Sequence, residues 1–138
     1  MSTKPLQSLV GDRVEKAKYD EGSQSWLIQF KCGSTLNLEC MWRLLEEGVI
    51  TSTSDDHGHT FGRETPFDGE AALNEMVAHK ILSVDAQVET GDVSLSLGDY
   101  FTLQILPTSA GYESWQFKEK NGQSIVAVGG QFHTYENA

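Results

Sequence analysis

WLIQFKCGSTLNL, at residues 26–38, alternates apolar and polar side chains on both sides of a glycine turn. Trp26, Ile28 and Phe30 fall on one face of an extended chain, and the two leucines after the turn repeat the pattern. A period of two is typical of half-buried β-strands, because successive side chains point to opposite faces of a sheet. The stretch therefore predicts an antiparallel hairpin with one buried face.

The same pattern recurs 67 residues further along the chain, where VSLSL at 93–97 takes the place of 26–30. The register holds without a gap over about thirty residues, which marks an internal repeat. An insertion within 107–112 then shifts the register and brings Trp115 into line with Trp42. The alternating pattern and the turn residues of each copy predict a meander of about five short strands.

The repeat predicts one domain with a short helix between its two copies. The bounds are 1–138 for the domain, about 9–54 for the first pseudo-repeat, 55–78 for a loop and the short helix, and about 76–132 for the second pseudo-repeat. Two short meanders cannot bury their apolar faces separately, so we expect them to face each other in a mainly β fold, as a β-sandwich or distorted barrel. Asp68 is placed to cap the helix, with Glu70 and Glu75 facing water.

The charge balance narrows the classes of partner. Twenty acidic residues against ten basic ones give a formal net charge of −10. The few scattered Lys and Arg disfavour nucleic acid and anionic membranes as partners. No stretch approaches the roughly 18 apolar residues of a membrane helix, and no secretory signal is visible, so we expect a cytoplasmic protein. A basic macromolecule is the natural partner, with acidity that serves only solubility as the alternative.

The acidic residues concentrate at predicted turns. If several of them converge at one end of the sandwich, they create a negative field that attracts a basic protein. A partly exposed tyrosine would add an aromatic anchor for the partner. The candidate partner-binding residues are Asp20, Glu21, Glu46, Glu47, Asp55, Asp56, Glu89, Asp92 and Tyr112.

Asp55, Asp56, His57 and His59 form the string that most resembles a metal site. The spacing is unfavourable, because neighbouring residues of an extended loop point apart and zinc ligands usually come from separated segments. The sequence also lacks the common motifs for nucleophilic or metal-assisted catalysis. We therefore expect no metal, no cofactor and no catalytic residue. A small-ligand-binding barrel and a metal-assisted hydrolase built on this string remain the alternatives.

Aromatic motifs mark both copies of the repeat. Trp42 and Trp115 are predicted to be buried anchors, although partial exposure would make them binding residues. Arg43 should point to the opposite face from Trp42, where a carboxylate of a neighbouring strand is its expected partner. The motifs are Trp42-Arg43-Leu44, Tyr112-Glu113-Ser114-Trp115 and Gly129-Gly130, the last predicted to form a turn with positive φ.

With these motifs, the chain resembles a family of small bacterial immunity-like proteins over about residues 9–132. Such proteins are associated with contact-dependent growth inhibition and other polymorphic toxin systems. The family has Ser or Pro where Met41 stands before the tryptophan. The resemblance implies a protein without catalytic residues that binds and neutralises a cognate toxin, and a basic nuclease suits the acidity of this chain. We expect a monomer or weak dimer, since acidic strand edges disfavour pairing between copies.

Overall fold

The computed structural model describes residues 4–128 and 131–136. Two antiparallel β-sheets pack face to face around one hydrophobic core, which confirms the predicted mainly β sandwich. Two short helices, α1 (Lys4–Gln7) and α2 (Gly69–Leu73), accompany the sheets. The strands are β1 (Val14–Asp20), β2 (Ser25–Phe30), β3 (Thr35–Leu38), β4 (Met41–Glu46), β5 (Val49–Thr53), β6 (Ile81–Ala86), β7 (Val93–Leu97), β8 (Phe101–Leu106), β9 (Glu113–Lys118), β10 (Gln123–Val128) and β11 (Gln131–Glu136).

The strand order differs from two separate meanders that face each other. One sheet has the order β1-β2-β3-β9-β10-β11 and the other β5-β4-β8-β7-β6. The first sheet thus combines β1–β3 with β9–β11, and the second combines β4 and β5 with β6–β8, because the chain crosses between the sheets at 39–40 and again at 107–112. Crossing there lets Leu38 before the connection and Trp42 after it both reach the shared core, where they are buried.

The two halves are related by the same 67-residue offset. Arg13 and Lys80, which are equivalent positions, form an isolated antiparallel bridge with each other. A pair of equivalent residues that meet in this way places an approximate two-fold axis at their bridge. The flanking hydrogen bonds are reciprocal, from the Gly11 N–H to the Ile81 carbonyl at 2.7 Å and from the Ala78 N–H to the Val14 carbonyl at 3.1 Å.

One amide side chain at the end of each helix hydrogen-bonds to the backbone of an edge strand, β1 or β6. Asn74 donates from Nδ2 to the Ala17 carbonyl at 2.8 Å and accepts from the Ala17 N–H at 3.0 Å. Gln7, the equivalent residue in the first copy, donates to the Val84 carbonyl at 3.0 Å. Because these bonds occupy backbone groups that another strand would need, both edges are blocked.

Helix α2 begins where the sequence predicts it. The Asp68 carboxylate accepts from the Ala71 N–H at 3.1 Å, as an N-cap residue should. A 3-10 turn, Asn74–Met76, continues the helix. The expectation that Glu70 faces water is wrong: its Oε2 accepts from the Tyr19 N–H at 2.8 Å, because edge strand β1 leaves that donor without a strand partner. No helix in the described ranges is long and apolar enough to cross a membrane.

The repeat motifs serve packing. Trp42 and Trp115 are fully buried and Trp26 is 4% exposed, so these rings belong to the core. Arg43 lies half-buried on the outer face of its sheet, where its Nε donates to the Oε1 of Gln104. The expected carboxylate partner is therefore wrong, and a neutral amide of strand β8 takes its place. Gly129 and Gly130 lie outside the described residues.

Candidate functional site

Both connections between the sheets lie at one end of the sandwich, which we call the crossover end. The strand register brings two hairpin turns there, since Trp26 after the first turn pairs with Leu38 and Val93 after the second pairs with Ile105. The indole Nε1 of Trp115 donates to the Gly91 carbonyl at 2.8 Å and ties the second turn to the core. The crossover end is therefore built from loops held on a rigid scaffold.

Carboxylates gather at the crossover end. Its turns and crossings carry Asp20, Glu21, Glu39, Asp55, Glu89, Asp92 and Glu113. Among the described residues, the segments 21–24, 39–40, 54–56, 87–92 and 107–112 contain no Lys or Arg. Arg63, further along the loop that begins at 54, lines a separate depression. Five of the ten basic residues lie instead at the opposite end, near the bridge between the two halves: Arg13, Lys31, Lys80, Lys118 and Lys120. The opposite end also carries five carboxylates, which its five basic residues balance: Asp12, Glu46, Glu47, Asp99 and Glu119. Because the seven carboxylates of the crossover end lack such counter-charges, the molecule is electrically polarised along the strand direction.

Two hollows open on the crossover end. One, of about 390 Å³, is lined by Tyr19, Trp26, Glu39 and Asp55 among others. The second, of about 540 Å³, shares Glu39 and is flanked by Tyr112 and Glu113. Tyr112 is 80% exposed, so an aromatic ring stands in water beside these carboxylates. Together they offer a partner an aromatic anchor and negative charge around it.

The structure divides the predicted binding residues into groups. Five acidic residues and Tyr112 share the crossover end, whereas Glu46 and Glu47 lie at the opposite end, in the β4–β5 turn. There the charge of Glu46, followed by burial and the charge of Glu47, raises the pKa of Tyr100. The residues at the crossover end are Asp20, Glu21, Asp55, Glu89 and Asp92.

Glu39 and Glu113 belong to the crossover end but were not among the predicted binding residues. Glu39 falls within a stretch, 34–40, that the sequence pattern predicts as one continuous strand, whereas the structure ends β3 at Leu38 and crosses to the other sheet. The sequence gives little signal for Glu39, because the alternation continues through Leu38, Cys40 and Trp42 and only Met41 departs from it. Glu113 follows the insertion in the second copy, a position typical of loops.

A separate depression of about 550 Å³ runs beside edge strand β5. Four carboxylates line it, those of Glu46, Asp56, Asp68 and Glu75. We call this depression the β5 groove. His59 and Phe61 also line it, with ring centroids 5.7 Å apart. The predicted binding residue Asp56 thus faces a different surface from its neighbour Asp55.

The string that resembled a metal site spreads apart in the structure. The Nδ1 of His57 accepts a hydrogen bond from the Gly69 N–H at 3.0 Å. The centroid of the imidazole ring lies 4.4 Å from that of Tyr19 and 5.1 Å from that of Trp26. His59 instead contacts Phe61 in the β5 groove. Within the described residues, no three His, Cys, Asp or Glu side chains are placed to hold one metal ion. His57 holds the 54–68 loop to the core.

Comparisons with known proteins find no matching family model, no similar curated protein and no similar solved structure. The crossover end offers seven carboxylates and one exposed aromatic ring, which are groups suited to binding a cationic surface.

Proposed function

We propose that this protein is a cytoplasmic immunity protein that binds a cognate bacterial toxin, a basic nuclease, and covers its active site with the crossover end. The observation that carries the proposal is the unbalanced negative charge of seven carboxylates at the crossover end, whose described segments 21–24, 39–40, 54–56, 87–92 and 107–112 contain no Lys or Arg. A nuclease holds phosphates with Lys and Arg, and carboxylates can take the place of those phosphates. Covering the groove then blocks access of the nucleic acid.

Tyr112 is the expected anchor of the complex. Its ring is 80% exposed and lies beside Glu113, so it can be buried by a partner without any rearrangement of the core. Tyrosine is enriched among residues that dominate binding energy, particularly where charged groups surround it. A stable interface of this kind buries about 1,600 Å² in total. The carboxylates around the ring then provide orientation and a fast association rate.

The direct test is co-expression of this chain with the toxin domain encoded immediately upstream of its gene. Cells that carry both genes should survive, and the two proteins should co-purify. Binding should be tight at low salt and weaken as salt rises, because the encounter is between opposite charges. An affinity weaker than about micromolar at low salt would overturn the proposal.

Matched charge reversals separate the crossover end from overall acidity. Glu21→Lys with Glu89→Lys changes two exposed hairpin residues of the crossover end. Glu47→Lys with Asp99→Lys makes the same change in net charge at the opposite end. The first pair should slow association roughly tenfold or more, whereas the second should leave it nearly unchanged. Equal effects of the two pairs would assign binding to net charge alone.

Tyr112→Ala tests the anchor. Because the side chain is exposed, the free energy of unfolding should not change, and a urea titration would verify this. Binding to the toxin should weaken by about 2 kcal/mol, mainly through faster dissociation. Unchanged dissociation would place the interface away from Tyr112.

A further inference from the structure

Strand β11 is the outermost strand of the six-stranded sheet, next to β10, and the five-stranded sheet has no strand at the equivalent position among the described residues. Strand β11 pairs antiparallel with β10 over the whole strand, from Gln123 with Glu136 to Val128 with Gln131. Strand β5 is the equivalent of β10 in the first copy, since each follows the strand that carries the repeat tryptophan, Trp42 or Trp115. After β5 the chain leaves the sheet, so β5 remains an edge strand.

The outer edge of β5 is open to a partner. In the part of the chain that the structure describes, no backbone hydrogen bond joins 49–53 to a segment other than β4. Val49 and Ile50 are 64% and 51% exposed, and Phe61 across the β5 groove is 66% exposed. The other edge strand of this sheet, β6, has the Gln7 bond described above. An open edge flanked by exposed apolar side chains suits the addition of a strand.

The β5 groove also specifies the charge of its occupant. Four carboxylates line it, those of Glu46, Asp56, Asp68 and Glu75, against a single guanidinium, that of Arg63. Glu46 pairs with Val49 and Leu45 with Ile50, so Ile50 points to the opposite face of the sheet from Glu46. An extended segment with Lys or Arg on one face and apolar side chains on the other would match the carboxylates with its basic face and Ile50 with its apolar face. An acidic segment would be repelled.

We propose that β5 is a docking edge for an extended basic segment of a partner protein, which adds as a sixth strand of this sheet as β11 does in the other. Backbone hydrogen bonds to β5 would supply affinity, and the groove carboxylates would select cationic side chains. This surface is separate from the crossover end and does not require the partner to be a toxin. It gives the protein a second binding mode with a different chemistry.

The test uses a blocked heptapeptide of alternating Lys and Val as the probe, with amide hydrogen exchange of the full chain as the readout. The peptide should slow exchange at 49–53, because strand addition occupies the outward-facing amides of β5. A matched peptide that is N-methylated at its three central residues keeps the charge but loses donors on both edges. It should leave exchange at 49–53 unchanged.

Matched lysine substitutions test the location. Ile50→Lys adds a cation to the open edge of β5, whereas Leu82→Lys makes the same change on β6, where the side chain is similarly exposed at 47%. The first should weaken peptide binding roughly tenfold and the second should leave it unchanged. Glu75→Gln, at an exposed groove position, should weaken binding even if Ile50→Lys disturbs folding.

Three outcomes would overturn this proposal. They are protection confined to the β11 segment 131–136, protection confined to the crossover-end turns, and equal binding of the two peptides. Protection at the crossover end alone would leave the immunity proposal intact while removing the docking role of β5. Protection of β5 by the peptide without any toxin binding would support the docking role of β5 and overturn the immunity proposal.

Discussion

Trp42 and Trp115 occupy equivalent positions in the two copies, yet among the residues that the structure describes only Trp115 has a partner for its indole N–H. The Trp115 Nε1 donates to the Gly91 carbonyl at 2.8 Å, whereas no described residue accepts from the Trp42 Nε1. Both rings are fully buried. A buried donor without an acceptor is unfavourable, so the same residue stabilises the two halves unequally.

Trp→Phe substitutions should expose this difference. Both variants lose ring volume, but Trp115→Phe also leaves the buried Gly91 carbonyl without its donor. Trp42→Phe removes an unpaired N–H, which offsets part of its packing loss. We expect Trp115→Phe to lower the free energy of unfolding by about 1 kcal/mol more than Trp42→Phe. Urea titrations of both variants measure this, and a larger loss for Trp42→Phe would contradict the hydrogen-bond argument.

Gly69→Ala should destabilise the attachment of α2. A Cβ at this position would lie 2.6 Å from the Trp26 ring and 3.3 Å from the His57 Nδ1. Because Trp26 is packed in the core, the clash must displace the helix or the ring, at about 1–3 kcal/mol. Gly111→Ala is the control, since its Cβ would meet nothing within 4 Å. Thermal unfolding should separate the two variants, and equal midpoints would mean that the contact relaxes freely.

The sequence predicted the parts of the fold that depend on local pattern. Alternating side chains identified the strands, and Asp68 identified the start of α2. The exchange of strands between the sheets was missed, because a period of two indicates which face is buried but not which neighbour a strand pairs with. Glu70 was misassigned for the same reason, since its role depends on the non-local edge of β1.

The sequence predicted that acidic turn residues form the candidate site, but it predicted only in part which of them lie together. Turn residues such as Asp20 and Glu89 were recognised, and the strand directions then brought them to one end. Glu46 and Glu47 looked equivalent to them in sequence, but an odd number of strand passages places their turn at the opposite end. The β5 groove was missed because it requires knowing which strands lie at the edges of the sheets.

Asn74 should prove important for stability, although it is only half-buried. Its amide makes two hydrogen bonds to Ala17 and one to the Glu70 carbonyl at 2.8 Å. Asn74→Leu removes all three and frees the edge of β1 at Ala17, so we expect a loss of about 1–3 kcal/mol and a greater tendency to aggregate. Gln7→Leu, which removes a single bond, should cost less. Urea titration and light scattering measure both effects, and equal losses would contradict the bond count.

The two cysteines should differ in reactivity. Burial raises the pKa of Cys40 to about 12, and the charges of Asp92 and Glu39 add to the effect, whereas the backbone of Leu106 opposes it by hydrogen bonding. Cys32 is exposed. Since the thiolate is the nucleophile, a disulfide reagent at pH 8 should modify Cys32 rapidly and Cys40 only after unfolding. Rapid modification of two thiols in the folded protein would contradict this assignment.

The raised pKa of Cys40 also makes stability depend on alkaline pH. The unfolded thiol ionises near its ordinary pKa of 9.0, whereas the folded thiol stays protonated until about pH 12. The stabilisation is therefore complete below pH 9 and declines as the pH rises from 9 towards 12, because only the unfolded state loses the proton. Cys40→Ser lacks this titration, so its free energy of unfolding should fall less steeply than that of the wild type over this interval. Parallel curves from urea titrations at successive pH values would show that Cys40 does not ionise on unfolding.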